Sequence, residues 1–261
     1  MRGAGIRTLG AALAAVLLAA ILGLAAASSA GVSRDVAGPQ LARGHGTTFG
    51  HSRDGRALRF TIVGDRRARR HALIVGQIHG DEPQGRRVAA RVRHRYKDLK
   101  GVKLWVISTV NPDGSAHGSR TNSRGVDLNR NFGVQWRAGE PPGSGYYPGP
   151  HAYSEPETRA GRKLVKRIEP RVSIWLHQPW GQVLAPRHGR AKEEKAYSRI
   201  SGVPLQRARG EDLPGTAIRW SDARVGGNAF VVELGPNPLS RQELSRNARA
   251  AATVLSGHPV R

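Results

Sequence analysis

Two histidines and two acids, spread across more than half of a 261-residue chain, have the types and placements needed for metal-assisted hydrolysis. His79 and Glu82 lie three residues apart in Gly76-Gln77-Ile78-His79-Gly80-Asp81-Glu82-Pro83, so one turn of backbone can aim an imidazole and a carboxylate at a common ion. A catalytic zinc takes three protein ligands and keeps a fourth position open. His177 is the third candidate. The run Val172-Ser173-Ile174-Trp175-Leu176 before it reads as a buried strand that delivers the imidazole to the carboxyl edge of a sheet, where open α/β sheets form ligand sites. The run Ala72 to Ile78 does the same for His79.

Glu233 follows Ala229-Phe230-Val231-Val232, a further short apolar run that pushes a carboxylate toward the same edge. An unpaired charge there is costly, which points to a role or a partner. The role expected is general base, taking a proton from the attacking water and passing it to the leaving amine; the alternative is an ion pair with an arginine. Asn129 and Arg130, in Gly125-Val126-Asp127-Leu128-Asn129-Arg130-Asn131-Phe132, set an amide beside a guanidinium fork shaped for a carboxylate, so together they can grip a free carboxyl terminus. Arg120 and Arg124 both stand just upstream, and either could polarise the scissile carbonyl and steady the oxyanion. In the loop expected before Glu233, Ile218 and Arg219 are candidate pocket residues, Arg219 suiting an acidic side chain.

These stretches, with Asn111-Pro112-Asp113-Gly114, Tyr147-Pro148-Gly149-Pro150 and Ser154-Glu155-Pro156-Glu157-Thr158, resemble the zinc metallocarboxypeptidases of the carboxypeptidase A superfamily. Within it, the chain is similar to small bacterial members of the murein peptide amidase kind. The resemblance implies one zinc ion held by His79, Glu82 and His177, with Glu233 as catalytic carboxylate. It also implies Asn129 and Arg130 as the terminal-carboxylate clamp, with Arg120 as the carbonyl polariser in preference to Arg124. One departure stands out: the digestive members close a loop tyrosine over the substrate, and no tyrosine lies between Tyr197 and Glu233 here.

The expected activity is hydrolysis of a terminal or near-terminal peptide amide, with cell-wall stem peptides as substrate. A deacylase similar to the aspartoacylases and succinylglutamate desuccinylases is the alternative enzyme, and a wall-binding protein with a vestigial site the alternative of another class. Serine hydrolysis is disfavoured, because no Gly-x-Ser-x-Gly elbow occurs.

Arg2 and Arg7 precede an uncharged run from Leu9 to Ala27, and Ser28-Ser29-Ala30 then offers the small residues a signal peptidase inspects. Residues 1–30 therefore read as a secretory leader, and the protein as secreted or held in the cell envelope. The run approaches the roughly 18 residues of a membrane span, so an uncleaved N-terminal anchor is the alternative. With no cysteine there is neither a disulfide nor a lipoprotein attachment point. A formal net charge of +23 implies attraction to anionic surfaces, wall polymers first for an exported chain. Nucleic acid is not the expected partner: aromatic residues are only 5% of the chain, too few for stacking platforms, and no finger spacing occurs.

Residues 31–48, rich in Gly and polar residues without periodicity, read as a linker, and 49–261 as one catalytic domain. Within it, Leu58–Val63 and Ala72–Ile78 read as adjacent strands joined by a turn, and Lys103–Thr109 as the next. Val88, Ala89, Val92 and Tyr96 share a helix face, as do Leu244, Ala248, Ala251, Ala252 and Leu255. Ser154 and Glu157 have capping-box spacing before a helix ending near Ile168, and a charged helix is expected at about Ala191–Ile200. Strands alternating with helices mean an α/β fold with a mostly parallel sheet; the resemblance implies a mixed, eight-stranded sheet with helices on both faces.

Overall fold

The computed structural model describes residues 46–186, 189–207 and 213–260, so the expected leader and most of the linker lie outside the described residues. The first strand, β1 (Thr47–His51), starts inside the stretch read as linker. The remaining elements, in chain order, are β2 (Ala57–Gly64), β3 (His71–Val75), α1 (Gln84–Arg95), β4 (Lys103–Ile107), α2 (Pro112–His117), α3 (Pro156–Ile168), β5 (Val172–His177), β6 (Gln182–Ala185), α4 (Lys192–Ser201), β7 (Leu205–Arg207), α5 (Ala217–Val225), β8 (Asn228–Glu233) and α6 (Arg241–Ser256).

The eight strands form one mixed sheet in the order β1-β2-β4-β3-β5-β8-β6-β7. β4, β3, β5 and β8 run parallel at its centre, β6 pairs with β7 in parallel, and the pairs β1/β2, β2/β4 and β6/β8 are antiparallel. The central strands are near-continuous apolar runs because helices cover both faces. Period-two alternation sorts their side chains: Ala72, Ile74, Leu104, Val106, Ile174 and Phe230 share one buried cluster with Val88, Ala89 and Val92 of α1 and Ala248, Ala251, Ala252 and Leu255 of α6. Leu73, Val75, Trp105, Ile107 and Trp175 form the other with Leu164, Val165 and Ile168 of α3 and Trp220 of α5.

Three expectations are corrected. β2 and β3 are not neighbours: the β3–α1–β4 crossover lays β4 parallel to β3, and β2 pairs with the outer edge of β4. No capping box forms at Ser154. Glu155 is the N-cap of α3, Ser154 Oγ donates to its Oε1, and Glu157 instead accepts the amide of Arg53, while the reciprocal box occurs at Ser240 and Glu243 of α6. Ile218 and Arg219 are helical rather than in a loop, since Thr216 caps α5 with its side chain and starts a helix just before them. Among the described residues, no helix is long and apolar enough to cross a membrane.

Candidate metal centre and substrate site

His79 sits four residues beyond the end of β3, in a turn that leads into α1. Two close backbone approaches shape that turn. A Cβ on Gly80 would lie 2.0 Å from the carbonyl carbon of Gly114, and one on Gly114 would lie 2.4 Å from the carbonyl oxygen of Thr121, so both positions require glycine. Asn111 caps α2 by accepting from the Gly114 amide and donates to the carbonyl of Arg120, which also receives the Gly80 amide. The Asn-Pro-Asp-Gly stretch thus braces the His79 turn against the segment that carries Arg120.

His79, Glu82 and His177 converge, with one donor atom from each lying within 4.8 Å of the others, and all three are buried. His79 Nδ1 stands 2.7 Å from Glu82 Oε1, His177 Nδ1 3.0 Å from Glu82 Oε2, and the two Nδ1 atoms 3.2 Å from each other. Around a tetrahedral zinc with bonds of about 2.0–2.1 Å, donors lie about 3.3 Å apart, so this set of two imidazoles and a carboxylate suits such an ion. The second nitrogen of His79, Nε2, lies 3.1 Å from Asp127 Oδ1. A carboxylate only accepts, so Asp127 keeps the proton on Nε2 and turns Nδ1 toward Glu82 and His177.

Electrostatics follow from this crowding. Burial works against a charged His79, but Asp127 and Glu82 outweigh it and hold its pKa above the ordinary value. Burial likewise opposes ionisation of Glu82, yet hydrogen bonds from His177 and His79 bring it down to about 2. His177 is lowered, chiefly by desolvation.

Glu233 ends β8 beside His177, its register partner on β5. Burial, and after it the charge of Glu82, pushes its carboxyl up to about 7; the amide of Trp180 donates to it, while its Oε2 is buried without a hydrogen bond.

The two candidate arginines have different surroundings. Arg120 reaches the cluster: Nη2 donates to Asp127 Oδ2 at 3.0 Å, Nη1 lies 3.4 Å from Glu82 Oε1, and Nε donates to the carbonyl of Gly145. Arg124 lies apart from the cluster, with its guanidinium 3.7 Å from Glu155 Oε1. Asn129 and Arg130 occupy a single 3-10 turn, Leu128–Arg130, capped by Asp127, so the acid that faces His79 also starts the turn bearing this amide and guanidinium. Asn129 Oδ1 accepts the amide of Ala217, tying this turn to the first residue of α5. Ile218 packs against the apolar cluster beneath the sheet, and the backbone amide of Arg219 is capped by Thr216.

Two residues at the site had no assigned role in the sequence reading. Asp127 had a signal, an acid two positions before the Asn-Arg pair. Tyr146 had none: it lies in an irregular Gly/Pro-rich loop, yet its ring stands 4.8 Å from the guanidinium carbon of Arg120 and 5.8 Å from that of Arg130.

Comparisons with known proteins bear on the family and the fold. Residues 39–208 match the zinc carboxypeptidase family model. Murein peptide amidase A of Escherichia coli is 32% identical over 209 residues, spanning 74% of this chain and 82% of the relative. The crystal structure of the murein-tripeptide amidase of Escherichia coli O157 superposes with a TM-score of 0.68 at 29% identity, over 82% of this chain and 93% of that one. Carboxypeptidase A of Helicoverpa armigera shares the fold at 16% identity, with a TM-score of 0.67 over 79% of this chain and 68% of its own.

Proposed function

The chain belongs to the zinc carboxypeptidase family and is a hydrolase, and from that premise we propose an exported, zinc-dependent peptidase that cuts the terminal or near-terminal amide of murein stem peptides. The observation carrying this reading is the convergence of His79, Glu82 and His177 beside Glu233, with Arg120 and Arg130 on the adjoining wall. Similarity to a murein peptide amidase along most of both chains supports the substrate class. Export is supported by Arg2, Arg7, the apolar run and the small residues at 28–30, and a net charge of +23 favours contact with anionic wall polymers.

His79, Glu82 and His177 would hold the ion, which when bound supplies Lewis acidity to the scissile carbonyl and to water. Arg130, with Asn129 beside it, takes the free carboxylate of the substrate and fixes the register of the chain to be cut. Arg120, held by Asp127 and the Gly145 carbonyl, presents its fork to the oxyanion. Glu233 accepts the proton of the attacking water and returns it to the leaving amine. A group of pKa near 7 suits both directions of transfer.

The purified chain is expected to carry one zinc, to lose activity in chelator and to release a terminal residue from murein tri- and tetrapeptides, identified by product mass. Chelator-insensitive turnover, or hydrolysis of acyl-amino acids with none of stem peptides, would refute this reading.

A further inference from the structure

Among the described residues only three large hydrophobic side chains are strongly exposed, Tyr146, Trp180 and Leu213. Tyr146 is 52% exposed, yet its ring stands against both arginines of the site, 4.8 Å from the guanidinium carbon of Arg120 and 5.8 Å from that of Arg130. The two cations are close enough for Arg120 to lower the pKa of Arg130 by repulsion, although desolvation is the larger cause. Asp127 is shared unevenly between them, 3.0 Å from Arg120 Nη2 and 4.0 Å from Arg130 Nη1. Arg120 also meets Glu82 Oε1 at 3.4 Å, so Arg130 is the less compensated of the two cations, and the negative face of the aromatic ring adds to its balance.

The segment bearing Tyr146 is itself anchored at the site. The carbonyl of Gly145 accepts from Arg120 Nε, and that of Tyr147, two residues on, accepts the amide of Asp127. The backbone on either side of Tyr146 is therefore tied to Arg120 and to Asp127.

We propose that Tyr146 is a positioning residue for substrate: its ring, set against Arg120 and Arg130, keeps the Arg130 fork turned to the terminal carboxylate, and its exposed side walls that receptor. The assignment rests on the substrate reading proposed above. It deepens that reading by requiring a free carboxylate next to the bond that is cut. The aromatic face does this, and the phenol hydroxyl is dispensable.

Binding separates the two questions. In the zinc-loaded Glu233→Gln protein, which still holds the clamp, calorimetry with an N-acyl dipeptide and its carboxy-terminal amide reads the receptor directly. Tyr146→Phe should bind the free carboxylate within about twofold of the parent, whereas Tyr146→Leu and Tyr146→Ala should weaken it about tenfold and leave the amide within about twofold. In the active enzyme the same two losses should appear in KM with kcat and zinc content little changed. Full carboxylate affinity in the Leu variant overturns the role of Tyr146, as does a parent protein that does not distinguish acid from amide. Failure of the unsubstituted enzyme to bind zinc or cleave peptides counts instead against the proposed function.

Discussion

His177 and Glu233 are register partners at the carboxyl ends of the parallel strands β5 and β8. Side chains at one register position leave a parallel pair on the same face, from strands about 4.8 Å apart. The imidazole facing Glu82 and the carboxylate raised to about 7 are therefore set side by side by backbone pairing, with no loop to position either. Glu233→Gln keeps shape and removes proton transfer, so zinc content should be unchanged and the thermal midpoint no lower, while kcat falls by about 10²–10⁴. Retained turnover in a zinc-replete Gln variant would remove Glu233 from the mechanism.

Asp127 acts through His79. Its carboxylate holds the Nε2 proton and favours the cationic form of the ring, so protons compete with metal for Nδ1 wherever the pH lies below the raised pKa of His79. Zinc affinity should weaken as pH falls through that value, by about tenfold per unit for each proton displaced. Asp127→Asn should lower zinc affinity about 10–100-fold and move the acid limb of binding to lower pH, measured by competition with a chromophoric chelator. Unchanged affinity would leave Asp127 as a helix cap only.

His79, His177 and Glu233 are legible because each stands where an apolar run stops: a run that must be buried also fixes where its last side chain emerges. The joint work of Asp127 and His79 was not, since the pair is brought together across 48 positions by the brace between Gly80 and Gly114. The choice between Arg120 and Arg124 was equally hidden, because a Gly- and Ser-rich loop has no periodicity to say which side chain turns inward. Adjacency of β2 and β3 was misread from the short connection between them; the α1 crossover decides the neighbour, and only pairing reveals it. Helix α5 is hidden in the sequence because its start rests on a single capping residue, Thr216.

Away from the centre, Glu157 is buried with Oε2 unpartnered, and desolvation raises its carboxyl. The folded state then binds a proton that the unfolded state releases, so this group lowers stability as pH rises from the ordinary carboxylate value of 4.5 toward its raised folded value. Glu157→Gln keeps an acceptor for the Arg53 amide and removes the charge. It should raise the thermal midpoint by about 2–4 °C at pH 8, corresponding to about 1 kcal/mol, and by less near pH 4. Equal shifts at both pH values would mean that Glu157 is not the group responsible.

Arg120 and Arg124 can be separated by paired variants, since they differ in surroundings and not in chemistry. The Arg120 guanidinium is fixed by Asp127, the Gly145 carbonyl and the Tyr146 ring, and it meets Glu82 at the metal cluster. Arg120→Ala should therefore cost about 10²–10³ in kcat, and lysine should restore little, because a single ammonium cannot hold Asp127 and the oxyanion together. Arg124 makes a half-exposed contact with Glu155 at 3.7 Å, an interaction of about 0–1 kcal/mol in such settings. Arg124→Ala should leave kcat/KM within about threefold and lower the thermal midpoint by no more than about 2 °C. Comparable losses of kcat in the two alanine variants would mean that the inward orientation of Arg120 does not select the residue facing the oxyanion.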